Sequence, residues 1–216
     1  MTEAEWLAST EVRKLLFYLR GSGRASDRRL RLFAVSCCRR LWHLLADDPI
    51  RRAILVVERH TDEQADDREL AEARQAAMAA QGRWPPWPTM AQMNAGTAAV
   101  ACTAGPFAAA KQASWYVEGA LRGEPVTDLL HDLFANPFRP VALDPTWRTA
   151  EVMALATAAY EERILPAGTL DRDRLAVLAD ALEDAGCDNA DILAHLRGPG
   201  PHVRGCWVLD LLLGKQ

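Results

Sequence analysis

The chain has 216 residues, half of them apolar and a quarter charged, with a formal net charge of −4. This length suits one large domain or two small ones, and the composition excludes a disordered or fibrous chain. The net charge disfavours a dedicated nucleic-acid-binding protein. Residues 1–60 nevertheless carry twelve Lys and Arg against seven Asp and Glu, and such an asymmetry can steer a partner.

The N-terminal sequence MTEAEWLAST is acidic and lacks the basic flank and apolar core of a secretory signal. No run of eighteen apolar residues is present, so no membrane span is predicted. The five cysteines are an odd number, with Cys37 next to Cys38, which does not indicate a disulfide framework. A cytoplasmic protein with reduced thiols is predicted.

Capping residues and 3.6-residue apolar periodicity predict a series of helices up to residue 80. Thr2 and Glu5 form a capping box, and Ser26 caps a long helix whose apolar positions run to Leu45. Further helices are predicted over residues 10–19, 50–60 and 66–80. The sequence RWPPWP at residues 83–88 then excludes a continuous helix, because its prolines lack the backbone donor. A single domain 1–216 is predicted, which can be divided into subdomains 1–81 and 89–216 joined by the loop 82–88.

Residues 90–121 are small and apolar, which favours two closely packed helices. The remaining helices are predicted over residues 127–134 and 149–160, from the cap Asp171 to Gly186, from Asp188 to Gly198, and from Pro201 onward. No alternating run of β-branched residues has turn signals at both ends. The sequence therefore predicts an all-α fold of nine or ten helices with proline-rich connecting loops.

Four segments together resemble a large paralogous family of uncharacterised planctomycete proteins. They are MTEAEWLAST, RASDRRLRLFAVSCCRRLWHLL, LLHDLFANPFRPVALDPTW and LAVLADALEDAGCDNADILAHLRGPGPHVRGCWVLDLLLGK. Within the last, the R-L-x-x-x-A-D-x-L-E core is also similar to a short repeat-companion helical motif. The resemblance implies that these segments occur together as one unit, and it implies no catalytic roles.

The C-terminal stretch concentrates residues that can bind a metal ion: Cys187, His195, His202 and Cys206. If the last segment is helical from Pro201, His202 and Cys206 lie at i and i+4 on one face. Together the four residues would form a Cys2His2 set for Zn2+. The spacing matches no standard zinc finger, and buried thiols with histidines that cap turns are the structural alternative.

The same face offers a catalytic alternative, in which Cys206 is a nucleophile, His202 its base and Asp210 the group that orients the base. Cys206 lies in a strongly apolar segment, where a thiol is usually inert. The sequence therefore favours a protein that is not an enzyme.

Interaction residues are predicted in three places. Trp84 and Trp87 in the proline-rich loop are candidate anchors for a partner, and Arg204 and Trp207 adjoin the C-terminal turns. The third group is the arginines of the long N-terminal helix, Arg28, Arg29, Arg39 and Arg40, which could contact phosphate or form a solvated face. Aromatic residues are not interleaved with these arginines. A helical interaction or scaffold module that binds another protein is preferred to a nucleic-acid-binding protein, and the sequence leaves the oligomeric state open.

Overall fold

The computed structural model describes residues 1–81 and 88–215. The all-α prediction is confirmed, since those ranges contain α-helices, two short 3-10 turns and no β-strand. The predicted number of nine or ten helices was too low, because twelve α-helices form in the described residues. No helix among them has both the length and the apolar character needed to cross a bilayer. In chain order the helices are α1 Glu3–Ala8, α2 Val12–Gly21, α3 Asp27–Arg40, α4 Asp48–Thr61, α5 Asp67–Gln81, α6 Met90–Cys102, α7 Pro106–Ala120, α8 Thr127–Phe134, α9 Ala150–Glu161, α10 Arg172–Asp184, α11 Ala190–Arg197 and α12 Trp207–Leu213.

The chain forms two compact units. Unit 1 consists of Met1–Leu7 and Asp128–Gln216, and unit 2 consists of Ala8–Thr127. These limits differ from the division at loop 82–88 expected from the prolines, because α1 belongs with the C-terminal helices and α6 with the helices before the loop. Trp84 and Trp87, predicted as interaction anchors, lie outside the described residues.

In unit 2, α3 packs against α4, α6 and α7, while α5 packs against α4 and α6. Ser26 caps α3 as predicted, and its hydroxyl accepts a hydrogen bond from the Arg29 N–H at 3.3 Å. The prediction that small side chains let two helices approach closely is realised by α6 and α7. Their buried positions are mostly alanine, including Ala98, Ala99, Ala109, Ala110 and Ala113.

Unit 1 has a core formed by α9 to α12. Leu178, Ile192 and Leu209 are fully buried in it. Asp171 caps α10 as predicted, by accepting hydrogen bonds from two backbone N–H groups of the first turn. Gly186 follows α10 with a φ of 86°, a left-handed conformation that glycine adopts without strain.

Helix α1 is attached to the segment that follows α8. The predicted capping box is present, with the Thr2 N–H 2.8 Å from a Glu5 carboxylate oxygen. The Glu3 carboxylate accepts hydrogen bonds from Asn136 Nδ2 and Arg139 Nε, both at 2.6 Å. Trp6 is fully buried, and its ring lies 5.2 Å from that of His131. The N-terminus thereby becomes part of the surroundings of α8.

A buried ion pair joins α3 to α4 in unit 2. Arg39 Nη2 donates to Glu58 Oε2 at 2.6 Å and Arg39 Nε donates to Oε1 at 3.3 Å, with side-chain exposures of only 3% and 5%. The bidentate geometry offsets the desolvation of both charges. Removal of one partner would leave the other charge buried without its bidentate ion pair.

We therefore expect Glu58→Gln to lower the free energy of unfolding by about 3–5 kcal/mol, measured by urea unfolding with circular dichroism. The matched control is Glu72→Gln, because Glu72 accepts from Arg68 on the exposed face of α5 and such pairs contribute little. Equal losses in the two variants would contradict a buried ion pair.

Candidate functional site

Four side chains that can bind a metal ion meet in unit 1: Asp132, His195, His202 and Cys206. Each offers one donor atom, and the four donors lie within 4.8 Å of one another. Asp132 is on α8 and His195 on α11, whereas His202 lies in the connection that leads to α12. Cys206 is the N-cap residue of α12. Three separate segments of the chain thus converge on one point.

The connection between α11 and α12 is held by backbone hydrogen bonds. The Leu170 N–H donates to the His202 carbonyl at 2.8 Å, and Val203 forms an isolated antiparallel bridge with Thr169. The Cys206 N–H then closes a turn on the Val203 carbonyl at 2.9 Å. Gly200 has a φ of 74°, and a Cβ atom there would lie 2.8 Å from the His202 nitrogen. Only glycine therefore permits this path of the backbone.

The Asp132 carboxylate is the centre of the group. Its Oδ1 lies 2.8 Å from His202 Nδ1 and 3.2 Å from His195 Nε2, and its Oδ2 accepts from the Val203 N–H at 2.9 Å. Burial by itself would raise the pKa of Asp132, but the hydrogen bonds from His195 and His202 outweigh burial and hold this pKa below its ordinary value. The carboxylate is therefore ionised at neutral pH.

The Cys206 thiol is fully buried beside His195, with Sγ 3.1 Å from Nε2. Burial raises the pKa of this thiol well above its ordinary value, and the charge of Asp132 raises it further. A Cys–His–Asp catalytic arrangement uses one imidazole nitrogen for the thiol and the other for the carboxylate. Here Nε2 of His195 makes both contacts, so the arrangement fits a ligand set better than a nucleophile with its base.

The predicted trio of Cys206, His202 and Asp210 depended on a helix that begins at Pro201, and the structure differs at this point. Helix α12 begins at Trp207, so His202 and Cys206 do not share a helical face. Asp210 is buried one turn after Cys206, and its charge contributes to raising the pKa of the thiol. A group with that effect opposes formation of the thiolate.

The predicted metal set shares three of its four members with the observed group. Cys187 follows α10 and is buried in the hydrophobic core of unit 1, outside the cluster of donors. Burial raises the pKa of its thiol above the ordinary value. The fourth donor is Asp132 instead, which the sequence reasoning missed. The available signal was an acidic residue on the apolar face of α8, flanked by the buried Leu129 and Leu133.

His195 is the most exposed of the four donors, with 17% of its side chain accessible, and it faces a cavity of about 310 Å3. The Trp207 ring lies 5.1 Å from the His195 ring and forms part of the same wall. An ion could reach the donors from this side. The other residues around the cavity are Glu3, Trp6, Leu7, His131, Ala135, Asn136, Arg139, Val141 and Asp191.

The residues predicted to contact a partner are mostly engaged within the protein. Arg204 is buried, with its guanidinium 4.8 Å from the centre of the Tyr160 ring, and Trp207 is buried in the core of unit 1. Both were predicted as interaction residues because they adjoin the C-terminal turns.

The arginines of α3 are also largely withdrawn from solvent. Arg28 forms an ion pair with Asp62 at 3.0 Å, and Arg39 forms the buried pair with Glu58. Arg29 and Arg40 are half-buried. Two of the four arginines considered for phosphate binding are therefore engaged with carboxylates inside unit 2.

Comparisons of the chain with protein-family models, with curated proteins and with solved structures gave no match. The planctomycete resemblance stays a prediction. A function has to be argued from the geometry of the residues themselves.

The low pKa of Asp132 predicts how stability depends on pH in protein kept metal-free with a chelator. A carboxyl whose pKa is lower in the folded state stabilises that state above its unfolded pKa of about 3.9, and this contribution is lost as the pH falls through the folded pKa. We expect Asp132→Asn to lower the free energy of unfolding at pH 7 by about 3–5 kcal/mol. The deficit should shrink below about pH 4, as measured by urea unfolding across the pH range.

The control for this prediction is Asp184→Asn, which changes an exposed carboxyl at the end of α10. It should leave both the stability and its pH dependence nearly unchanged. A deficit in Asp132→Asn that grows as the pH falls below about 4 would contradict the assignment of an ionised carboxylate.

Proposed function

We propose that the protein is a helical binding module in which unit 1 is stabilised by one Zn2+ ion bound to Asp132, His195, His202 and Cys206. The observation that carries the proposal is the convergence of these four donors within 4.8 Å. Tetrahedral coordination with bonds of about 2.0 Å to nitrogen and 2.3 Å to sulfur separates donors by roughly 3.3–3.6 Å. The contacts of 2.8, 3.1 and 3.2 Å between donors are shorter than that range, and the outer limit of 4.8 Å is longer. Binding of the ion would therefore require side-chain adjustments that equalise these distances.

The donor types select the kind of metal. One thiolate, two imidazoles and one carboxylate form a borderline-soft set, which suits Zn2+ and disfavours Mg2+ and Ca2+. His202 turns its Nδ1 toward the group, 2.8 Å from Asp132 Oδ1.

Four protein ligands favour a structural role. Structural zinc sites are closed by four ligands, whereas catalytic sites keep a position for water. An ion bound here would tie α8, α11 and the start of α12 together, so its binding free energy would add to the stability of unit 1. The ligand set needs Cys206 as a thiolate, and we therefore also propose the reducing cytoplasm as the location of the protein.

The test is elemental analysis of protein purified without an affinity tag. We expect about one zinc per chain, and we expect Cys206→Ser and the double variant His195→Ala/His202→Ala to lose it. In cobalt-substituted protein, the sulfur-to-cobalt absorption should disappear in Cys206→Ser. Cys187→Ala is the matched control, because it removes a buried thiol of the same unit that lies outside the donor group. Zinc loss in Cys187→Ala alone would overturn this ligand assignment.

Removal of the ion should destabilise the protein. We expect a chelator to lower the melting temperature by about 10 °C or more, since structural zinc contributes several kcal/mol to folding. Calorimetry of zinc-loaded and chelator-treated samples measures the shift. An unchanged melting temperature, together with metal-free purified protein, would show that the four residues form only a hydrogen-bonded cluster.

A further inference from the structure

Two exposed aromatic side chains stand out on the surface of unit 2. Phe17 on α2 is 51% exposed and Trp115 on α7 is 59% exposed. The half-buried Phe107, near the start of α7, lies between the two helices. Large aromatic rings that remain in water on neighbouring helices are typical of an interaction surface.

The helical register places basic residues among these rings. On α2, Arg13, Phe17 and Arg20 occupy positions i, i+4 and i+7, which share one face. On α7, the positions i, i+4 and i+8 are occupied by Phe107, Lys111 and Trp115, so the lysine lies between two aromatic rings. Each stripe thus alternates between aromatic and cationic side chains. We call this surface the aromatic–basic face, and it consists of Arg13, Phe17, Arg20, Phe107, Lys111 and Trp115.

Side-chain contacts join the two stripes into one surface. The rings of Phe17 and Phe107 meet edge to face with centres 5.5 Å apart. The Arg20 guanidinium lies 4.4 Å from the centre of the Phe107 ring, and the Arg13 guanidinium lies 5.9 Å from that of Trp115. The arginines support one side of these rings by cation–π contact, and much of the Trp115 side chain remains open to a ligand.

The charge of this face is unneutralised. Within the described part of the chain, Arg13, Arg20 and Lys111 form no ion pair. The acid nearest in register on α7 is Glu118, which is half-buried and accepts a hydrogen bond from the Val126 N–H, and burial raises its pKa above the ordinary value. Unit 2 as a whole has seventeen Lys and Arg against thirteen Asp and Glu. The face therefore complements a polyanion.

We propose that the aromatic–basic face binds single-stranded nucleic acid. Exposed rings interleaved with cations are the combination that single-strand binding requires, since bases stack on the rings while the cations neutralise phosphates. Phe107 and Trp115 are separated by about 12 Å along the helix axis, which lets a strand contact both rings. In a duplex the bases are stacked inside and cannot reach the rings, so a single strand is preferred.

This proposal reverses the preference for a protein partner that the sequence favoured. Nucleic acid was disfavoured by the net charge of −4 and by the absence of aromatic residues among the arginines of α3, two of which form ion pairs within unit 2. The interleaving occurs instead between α2 and α7, which are separated by more than eighty residues of sequence and become neighbours only in the folded protein.

The test is fluorescence anisotropy of labelled 20-nucleotide oligo(dT) and oligo(U) with the full chain at 50 mM salt. We expect Trp115→Ala to weaken binding about 5- to 100-fold, which is the usual effect of losing one stacked base. We expect Arg13→Ala/Arg20→Ala to weaken it and to reduce the logarithmic salt slope by about 1.4. Met78→Ala, which removes another exposed apolar side chain of unit 2, should bind within twofold of the unchanged protein. Circular dichroism confirms that each variant is folded.

Four outcomes would overturn the proposal: dissociation constants above about 100 μM for both oligonucleotides, unchanged binding by Trp115→Ala, equal binding of a duplex of the same length, or equally effective competition by an acidic peptide of matched charge. A preference for one oligonucleotide over the other would identify RNA or DNA as the ligand.

Each measurement is made on zinc-loaded and on chelator-treated protein. Binding that persists in metal-free protein would support this proposal even where the zinc proposal fails.

Discussion

The structure of unit 1 depends on the buried carboxylate of Asp132. A lone carboxylate in the interior would be strongly destabilising, and here it persists because two imidazoles and one backbone N–H donate to it. Two of those donors, His202 and the Val203 N–H, lie seventy and seventy-one residues further along the chain. The same contacts fix the path of the connection into α12. The position of Cys206 therefore follows from the requirement to satisfy Asp132.

Local signals predicted much of the fold. Ser26 and Asp171 cap helices as their sequence context indicated, and Gly186 and Gly198 follow the ends of α10 and α11 as predicted. The start of α12 was not predictable in this way. Apolar residues and Pro201 favoured an earlier helix, but the His202 carbonyl is engaged by the Leu170 N–H and Gly205 adopts a φ of 89°. These constraints come from contacts between distant parts of the chain, and the local sequence pattern does not reveal them.

The site was predictable only in part, for the same physical reason. His195, His202 and Cys206 are close in sequence, so their spacing alone suggested a common site. Asp132 comes from a distant helix, and only its place on an apolar face marked it. Cys187 has suitable chemistry and is near in sequence, but the end of α10 directs it into the core. Residue types that can bind a metal ion can be identified in a sequence. Which of them come together in space is determined by the fold.

The two units use aromatic and charged residues in opposite ways. Unit 1 has eight Lys and Arg against sixteen Asp and Glu, yet its site depends on a carboxylate withdrawn from solvent, and its Trp207 is buried beside His195. Unit 2 has an excess of cations and leaves Trp115 more than half exposed. Burial of a Trp ring contributes substantially to stability, so a fold that leaves Trp115 in water forgoes that contribution. Packing alone does not explain the exposed ring, and the proposed ligand would stack on it.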